Sequence, residues 1–243
     1  MAKQGEIDYL SRGGPEAARH ALGKPFTADE CGLLLADLGG VMAALPPPPA
    51  RILDLGCGSG WTSVLLARRG YEVVGQDLAP DMIALAERNR DAAQLANLSF
   101  RTCDYEGLGF DNEFDAALFY DALHHAVDPE AALASAFRAL KPGGILVTVE
   151  PGVGHARSHA ATEAMRVYGV TERDMPPALV AQYGARAGFR EAHAFATPRT
   201  LLALHLDGSW RRGWWRDARA WLAQGWLALV RRHRHGALVV LRK

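Results

Sequence analysis

The stretch Leu53-Asp54-Leu55-Gly56-Cys57-Gly58-Ser59-Gly60 takes an apolar run directly into a glycine-rich loop. Arg51–Leu55 reads as a buried strand and Trp61–Arg69 as a helix, so the glycines occupy a strand-to-helix turn. Glycine there permits the tight turn and removes Cβ atoms where a ligand packs on backbone. A dinucleotide-binding turn carries its third glycine at the sixth position, for close helix approach. Here that position is Trp61. Asp54, two residues before the first glycine, would repel a pyrophosphate and attract a positively charged ligand group. The loop is built for a ligand other than a dinucleotide.

Working outward, the chain alternates. Glu72–Gln76 is expected as a strand, 81–89 as a helix, Leu98–Thr102 and Phe114–Tyr120 as strands, and Glu130–Leu140 as a helix. Lys141-Pro142-Gly143-Gly144 reads as a turn before the strand Ile145–Glu150. Short apolar strands alternating with helices imply a parallel sheet with right-handed crossovers. The rhythm then loosens: 151–177 is irregular or helical, 178–187 helical, and 190–197 and 237–241 are strands. Between the last two lies a block at 198–235, far longer than a hairpin needs. Ahead of the core, 1–45 is expected to form a helical cap, with Thr27 and Glu30 as a capping box and Pro46–Pro49 as its stiff exit. The domain proper is then 46–243, with its core at 50–152 and elaborations at 153–177 and 198–235.

Composition sets outer limits. The chain has 243 residues, 49% of them apolar, enough for one α/β domain with additions. Net charge is zero, which argues against a duplex nucleic acid partner. Nine Lys and Arg against two Asp make residues 204–243 about +7, leaving about −7 on the remainder. Three scattered cysteines offer neither a zinc pattern nor a disulfide framework. With no apolar run near about 18 residues and no signal-peptide core, a cytoplasmic protein is expected.

The DLGCGSG loop resembles motif I of the class I S-adenosylmethionine-dependent methyltransferases, and further features follow in that family's order. The resemblance implies a Rossmann-like sheet of seven strands, mostly parallel, in the order 3-2-1-4-5-7-6, with S-adenosylmethionine as cofactor. It places Asp54, Gly56, Cys57, Gly58, Gly60 and Trp61 around the cofactor. Asp77, in VVGQDLAPDM with Leu78 and Met82, resembles the acidic residue that receives the ribose hydroxyls. Two vicinal hydroxyls can donate to one carboxylate. Asp104, with Tyr105 beside it, resembles the acceptor for the adenine amino group. FDAALFYDALHHAVD (114–128) and LKPGGILVTVEPG (140–152) resemble later motifs and bring Tyr120 and Asp121 to the same edge.

A sulfonium methyl is already activated, so the protein must align the nucleophile, exclude water and, for a hydroxyl, remove a proton. Candidates for that base are His124 or His125, a few residues past the fourth strand, and Glu150 at the end of the fifth, able to accept from a hydroxyl or orient an imidazole. Only one of two adjacent histidines is expected to face the pocket, and the pair would equally serve to pack or cap. His155 and His159, four apart, could share a helix face, but without a third ligand no metal is expected.

Acceptor choice is expected in the additions. His20, Lys24 and Phe26 are placed for a lid over the cofactor. Tyr168 and the Glu172-Arg173-Asp174 cluster stand in the second addition, where a charged turn explains the cluster as well as substrate binding does. Trp210, Trp214, Trp215, Trp221 and Trp226, among arginines, fit an interfacial helix making peripheral membrane contact through 210–232, a sugar platform, or an ordinary amphipathic helix. A weaker similarity to methyltransferases of bacterial surface-polysaccharide synthesis favours a glycan hydroxyl as acceptor. The alternatives are a small natural product or quinone, an RNA, and a silent cofactor-binding subunit.

Overall fold

The computed structural model of the chain describes residues 2–197, 222 and 236–243. Two helices, α1 (Ala2–Ile7) and α2 (Tyr9–Gly23), precede α3 (Cys31–Ala44), and the alternating core then begins. It runs β1 (Arg51–Leu55), α4 (Trp61–Arg69), β2 (Glu72–Asp77), α5 (Pro80–Ala93), β3 (Leu98–Thr102), β4 (Phe114–Tyr120), α6 (Pro129–Ala139) and β5 (Leu140–Glu150). After it come α7 (His159–Tyr168), α8 (Pro177–Ala187), β6 (Glu191–Ala196) and β7 (Ala237–Arg242). The sheet order is β3-β2-β1-β4-β5-β7-β6, as the sequence implied. β7 runs antiparallel to both of its neighbours, whereas β1 through β5 pair in parallel.

Strand alternation sorts side chains into two cores. Leu53, Leu55, Ala117 and Phe119 face α6 and α8, where they meet Leu133, Ala136 and Val180. Ile52, Ala116 and Leu118 face the opposite layer, where Leu34, Leu38 and Val41 of α3 and Leu66 of α4 cover them. Because β1, β4 and β5 are buried on both faces, they read as continuous apolar runs rather than alternating ones.

Three local expectations are corrected. Thr27 does not cap a helix: α3 starts at Cys31, and the Thr27 hydroxyl donates to the His20 carbonyl (2.7 Å). Lys141–Gly144 is no free turn but an irregularity inside β5, because Leu140 already pairs with Phe114 before the register resumes at Ala116 and Ile145. His155 and His159 do not share a helix, since Ser158 ends one turn and caps the next helix through its bond from the Ala161 N–H (3.1 Å). The tryptophan and arginine block at 198–235 lies outside the described residues, apart from Leu222, and so does the membrane contact expected there. Among the described residues no helix is long and apolar enough to cross a membrane.

Asp54 is also reassigned. It is buried in β1, and its Oδ2 accepts from the Thr62 and Ser63 hydroxyls on the first turn of α4 (2.6 Å each). Burial pushes this carboxyl up to about 6, against the pull of the two hydroxyls. The residue therefore fixes the angle at which α4 leaves the glycine loop. Asp54→Ala would leave two buried hydroxyls unpaired, at about 1–3 kcal/mol each. Chemical denaturation should show that loss of stability; an unchanged midpoint would refute the assignment.

Candidate active site

The sheet reverses its direction of winding between β1 and β4, and the loops after β1, β2, β3 and β4 open around that crevice. A cavity of about 390 Å³ lies there. Its wall includes Gly56, Cys57, Gly58, Trp61, Asp77, Leu78, Met82, Asp104, Tyr105, Tyr120, Asp121 and His125. Gly60 and Asp54 stand behind the wall: Gly60 packs on Phe100 and Ala86, and Asp54 on α4. His124 and Glu150 are likewise buried behind it.

The side of the cavity along the glycine loop is organised by the end of β2. Asp77 Oδ2 accepts from the Gly58 N–H (2.8 Å) and Oδ1 from the Ala79 N–H (2.9 Å). Burial raises this carboxyl above its usual range, against those two bonds. Gln76, fully buried, accepts from the Gly56 N–H (3.3 Å) and donates to the Cys103 carbonyl, tying the loops after β1 and β3 together. Gly58 has φ +54°, and a Cβ there would meet no protein atom within 4 Å. Gly56 has φ +68°, and a Cβ there would strike that of Ala122 at 2.6 Å. One glycine thus leaves backbone bare at the cavity, and the other lets two loops touch. That bare backbone, with Asp77 and Asp104 on the adjacent strand ends, fits a nucleoside carrying an amino-acid arm. Asp104 caps the turn after β3 by accepting from the Glu106 N–H (3.0 Å), and its carboxylate is bridged by Lys3.

The opposite side is built on Glu150. Its carboxylate accepts from the backbone N–H groups of Ala122 (3.2 Å), Leu123 (2.8 Å) and His124 (3.2 Å), and pairs with His124 Nδ1 (2.7 Å). Burial raises Glu150 and lowers His124, which stays unprotonated at neutral pH. Both therefore support the turn that carries His125 instead of facing the cavity. Asp121, at the head of that turn, is held at φ +49°, a conformation that Asp tolerates better than most residues. The two imidazoles lie 4.0 Å apart, centre to centre, and are tilted 40° to each other; His125 is the one on the wall.

His125 Nδ1 lies 2.7 Å from the Thr171 carbonyl. A carbonyl only accepts, so Nδ1 keeps its proton and Nε2 is the nitrogen that titrates. Burial disfavours the charged ring, but Glu6, Glu172 and the Thr171 carbonyl outweigh it and raise His125 to about 9. His124, His125 and Glu172 each bring one ligand-type atom within 4.8 Å of the others. Each already has a partner: Glu150 for His124, Thr171 for His125, and His155 for Glu172 (2.7 Å). The rest of the charged cluster is structural, with Arg173 donating to the Ala126 (3.0 Å) and Val127 (3.1 Å) carbonyls. Asp174 accepts from the Gly154 and Ala156 N–H groups (2.9 Å each).

Residues 53–148 match a family described as a methyltransferase domain. They are a class I methyltransferase domain, and its cofactor is S-adenosylmethionine. The chain is 39% identical over 106 residues to a ubiquinone biosynthesis O-methyltransferase of Cereibacter sphaeroides, covering 43% of this chain and 42% of that one. It is 42% identical over 110 residues to a demethylmenaquinone methyltransferase of Thermus thermophilus, covering 44% and 50%. A tRNA 5-carboxymethoxyuridine methyltransferase of Escherichia coli is 32% identical over 117 residues, covering 47% and 45%. The matched stretch thus spans half or less of these relatives' own length. In fold, the chain resembles a phosphoethanolamine N-methyltransferase 2 of Haemonchus contortus solved with S-adenosylmethionine. That likeness has a TM-score of 0.67 at 22% identity, over 100% of this chain and 60% of that one.

Lys3, Glu6 and Tyr9 also line the cavity, and sequence reading missed all three in what looked like a polar leader. The one available signal was spacing: three residues apart on a helix, Lys3 and Glu6 lie on the same face. His20 and Lys24 line it as well, whereas Phe26 points to solvent. Asp77→Asn keeps the side chain's shape and removes its charge. It should weaken S-adenosylmethionine binding about tenfold or more, the scale of a bond to a charged acceptor. Calorimetric titration that finds unchanged affinity would contradict the assignment.

Proposed function

We propose that the chain methylates a small molecule on a hydroxyl oxygen, within the chemical class of phenolic quinone precursors. The observation that carries this reading is His125, an imidazole on the cavity wall whose Nδ1 is anchored on the Thr171 carbonyl (2.7 Å). Three features support it. Relatives named for ubiquinone and menaquinone methylation match the core, and none of the three relatives named above is a glycan enzyme. The cavity is roofed by Tyr9, Tyr168, Ala164 and Val170, which suit a flat, partly apolar acceptor. Its volume of about 390 Å³ lies near the low end of the small-molecule range, about 300–1,000 Å³. The expected glycan acceptor therefore gives way to the small-molecule alternative.

When bound, S-adenosylmethionine supplies a methyl group already activated as a sulfonium substituent. The chain supplies everything else. Asp77 and Asp104 hold the nucleoside end, and the Gly56–Gly58 backbone accepts the amino-acid arm. The roof aligns the acceptor and excludes water. With the cofactor bound, His125 Nε2 would take the acceptor hydroxyl proton as the methyl carbon leaves sulfur for the acceptor oxygen, the sulfur keeping the bonding pair as a neutral thioether.

The proton step sets the pH dependence. Nε2 must be unprotonated to accept, and its unprotonated fraction grows as pH rises through about 9. Turnover should therefore climb about tenfold per pH unit below that value and level above it. His125→Ala should lower kcat by about 10²–10⁴ and flatten the profile. Labelled-methyl transfer into parallel phenol, saccharide and tRNA fractions tests the acceptor class. Label in the phenol fraction supports the proposal, and label confined to saccharide or tRNA overturns it.

A further inference from the structure

We infer that Glu6 is a positioning residue for His125, and that docking of α1 onto the segment after α7 completes the acceptor side of the site. This rests on the reading of His125 given above.

The helix α1 has six residues. A helix that short has little stability of its own, so its order comes from what it touches. At its middle, Gly5 packs backbone to backbone on the segment after α7. A Cβ at that position would fall 2.0 Å from the Gly169 oxygen and 2.8 Å from the Val170 nitrogen, so only glycine allows this approach. Tyr9 packs against Tyr168 (4.8 Å between ring centres), and Arg12 donates to the Tyr168 carbonyl (3.1 Å). These contacts are local and mutually reinforcing.

Docking brings Glu6 to one peptide unit away from the imidazole. Glu6 Oε1 accepts from the Thr171 N–H (2.8 Å) and lies 3.5 Å from His125 Nδ1. The Thr171 carbonyl is in turn the acceptor for that Nδ1 (2.7 Å). The carboxylate thus fixes the Thr171 backbone that orients the ring, and also presents its charge to the ring directly. Lys3, one turn earlier on α1, bridges Asp104 and Glu106 (2.7 Å to Glu106) on the cofactor side. A single short helix therefore touches both halves of the cavity. The other titratable groups facing His125 are Glu172 from the segment after α7, Asp77 at the end of β2, Glu150 at the end of β5, and the neighbouring His124.

The test uses the full chain and two variants that act at different atoms. Glu6→Gln removes the charge and keeps the length, whereas Gly5→Ala leaves every functional group in place and blocks docking. The His125 imidazole is titrated by NMR, and the pH profile of kcat is recorded with a phenolic acceptor. In wild type the ring should titrate near 9. Both variants should lower that midpoint by about one unit or more, a roughly tenfold gain in neutral ring at pH 7. Both should also lower the high-pH limit of kcat more than they change the acceptor KM, and Glu6→Asp should restore part of the midpoint. Since α1 lies outside both sheet cores, thermal unfolding should shift little. An unchanged His125 midpoint in both variants overturns the inference. A shifted midpoint with no turnover on any hydroxyl acceptor upholds the role of Glu6 and refutes the acceptor reading instead.

Discussion

The Asp77 carboxylate joins two loops at the point where the sheet changes its direction of winding. One oxygen takes the Gly58 N–H and the other the Ala79 N–H, so the turns after β1 and β2 are held against each other. Without that tie, three positive-φ glycines within five residues would make the first loop a flexible arc. With it, their bare backbone becomes a defined wall. Gln76 extends the same function inward to the loop after β3. The glycine-loop side of the cavity is thus organised by residues at the end of one buried strand.

The side that carries His125 follows a different logic, in which a buried acid organises backbone. Removing Glu150 from water is costly, and three peptide N–H groups with one imidazole compensate for it. Those donors belong to one turn, so the acid dictates the turn's shape and sets His125 on the wall. Asp54 acts similarly on α4 through two hydroxyls. Asp54 was a candidate for contact with ligand, and Glu150 for taking a proton or orienting an imidazole. Both stand one layer back from the cavity, where burial makes their hydrogen bonds stronger and their removal more costly, and Glu150 holds the His124 imidazole.

Strands were legible because those buried on both faces leave short apolar runs between turn residues, and β1, β3 and β4 match their expected bounds. The cavity-wall carboxylates Asp77 and Asp104 were legible through the family resemblance, and the topology, which puts the carboxyl ends of parallel strands together, explains why both reach the cavity. The misjudged features share a cause. Thr27, the Lys141–Gly144 stretch and Asp54 carry local signals that a partner distant in sequence, or a neighbouring helix, overrides. The α1 residues gave the opposite error, a weak local signal that gains its meaning from the Gly169–Thr171 backbone more than 160 positions away.

By itself, then, the sequence determined the α/β alternation and the glycine loop, because hydrophobic periodicity and turn chemistry act over neighbouring residues, while its family resemblance supplied the strand order and pointed to Asp77 and Asp104. Only the tertiary structure decided between His124 and His125. It also moved Asp54 and Glu150 behind the cavity and brought Glu6 to the imidazole. Those outcomes depend on which groups share buried space, and burial is a property of the packed chain.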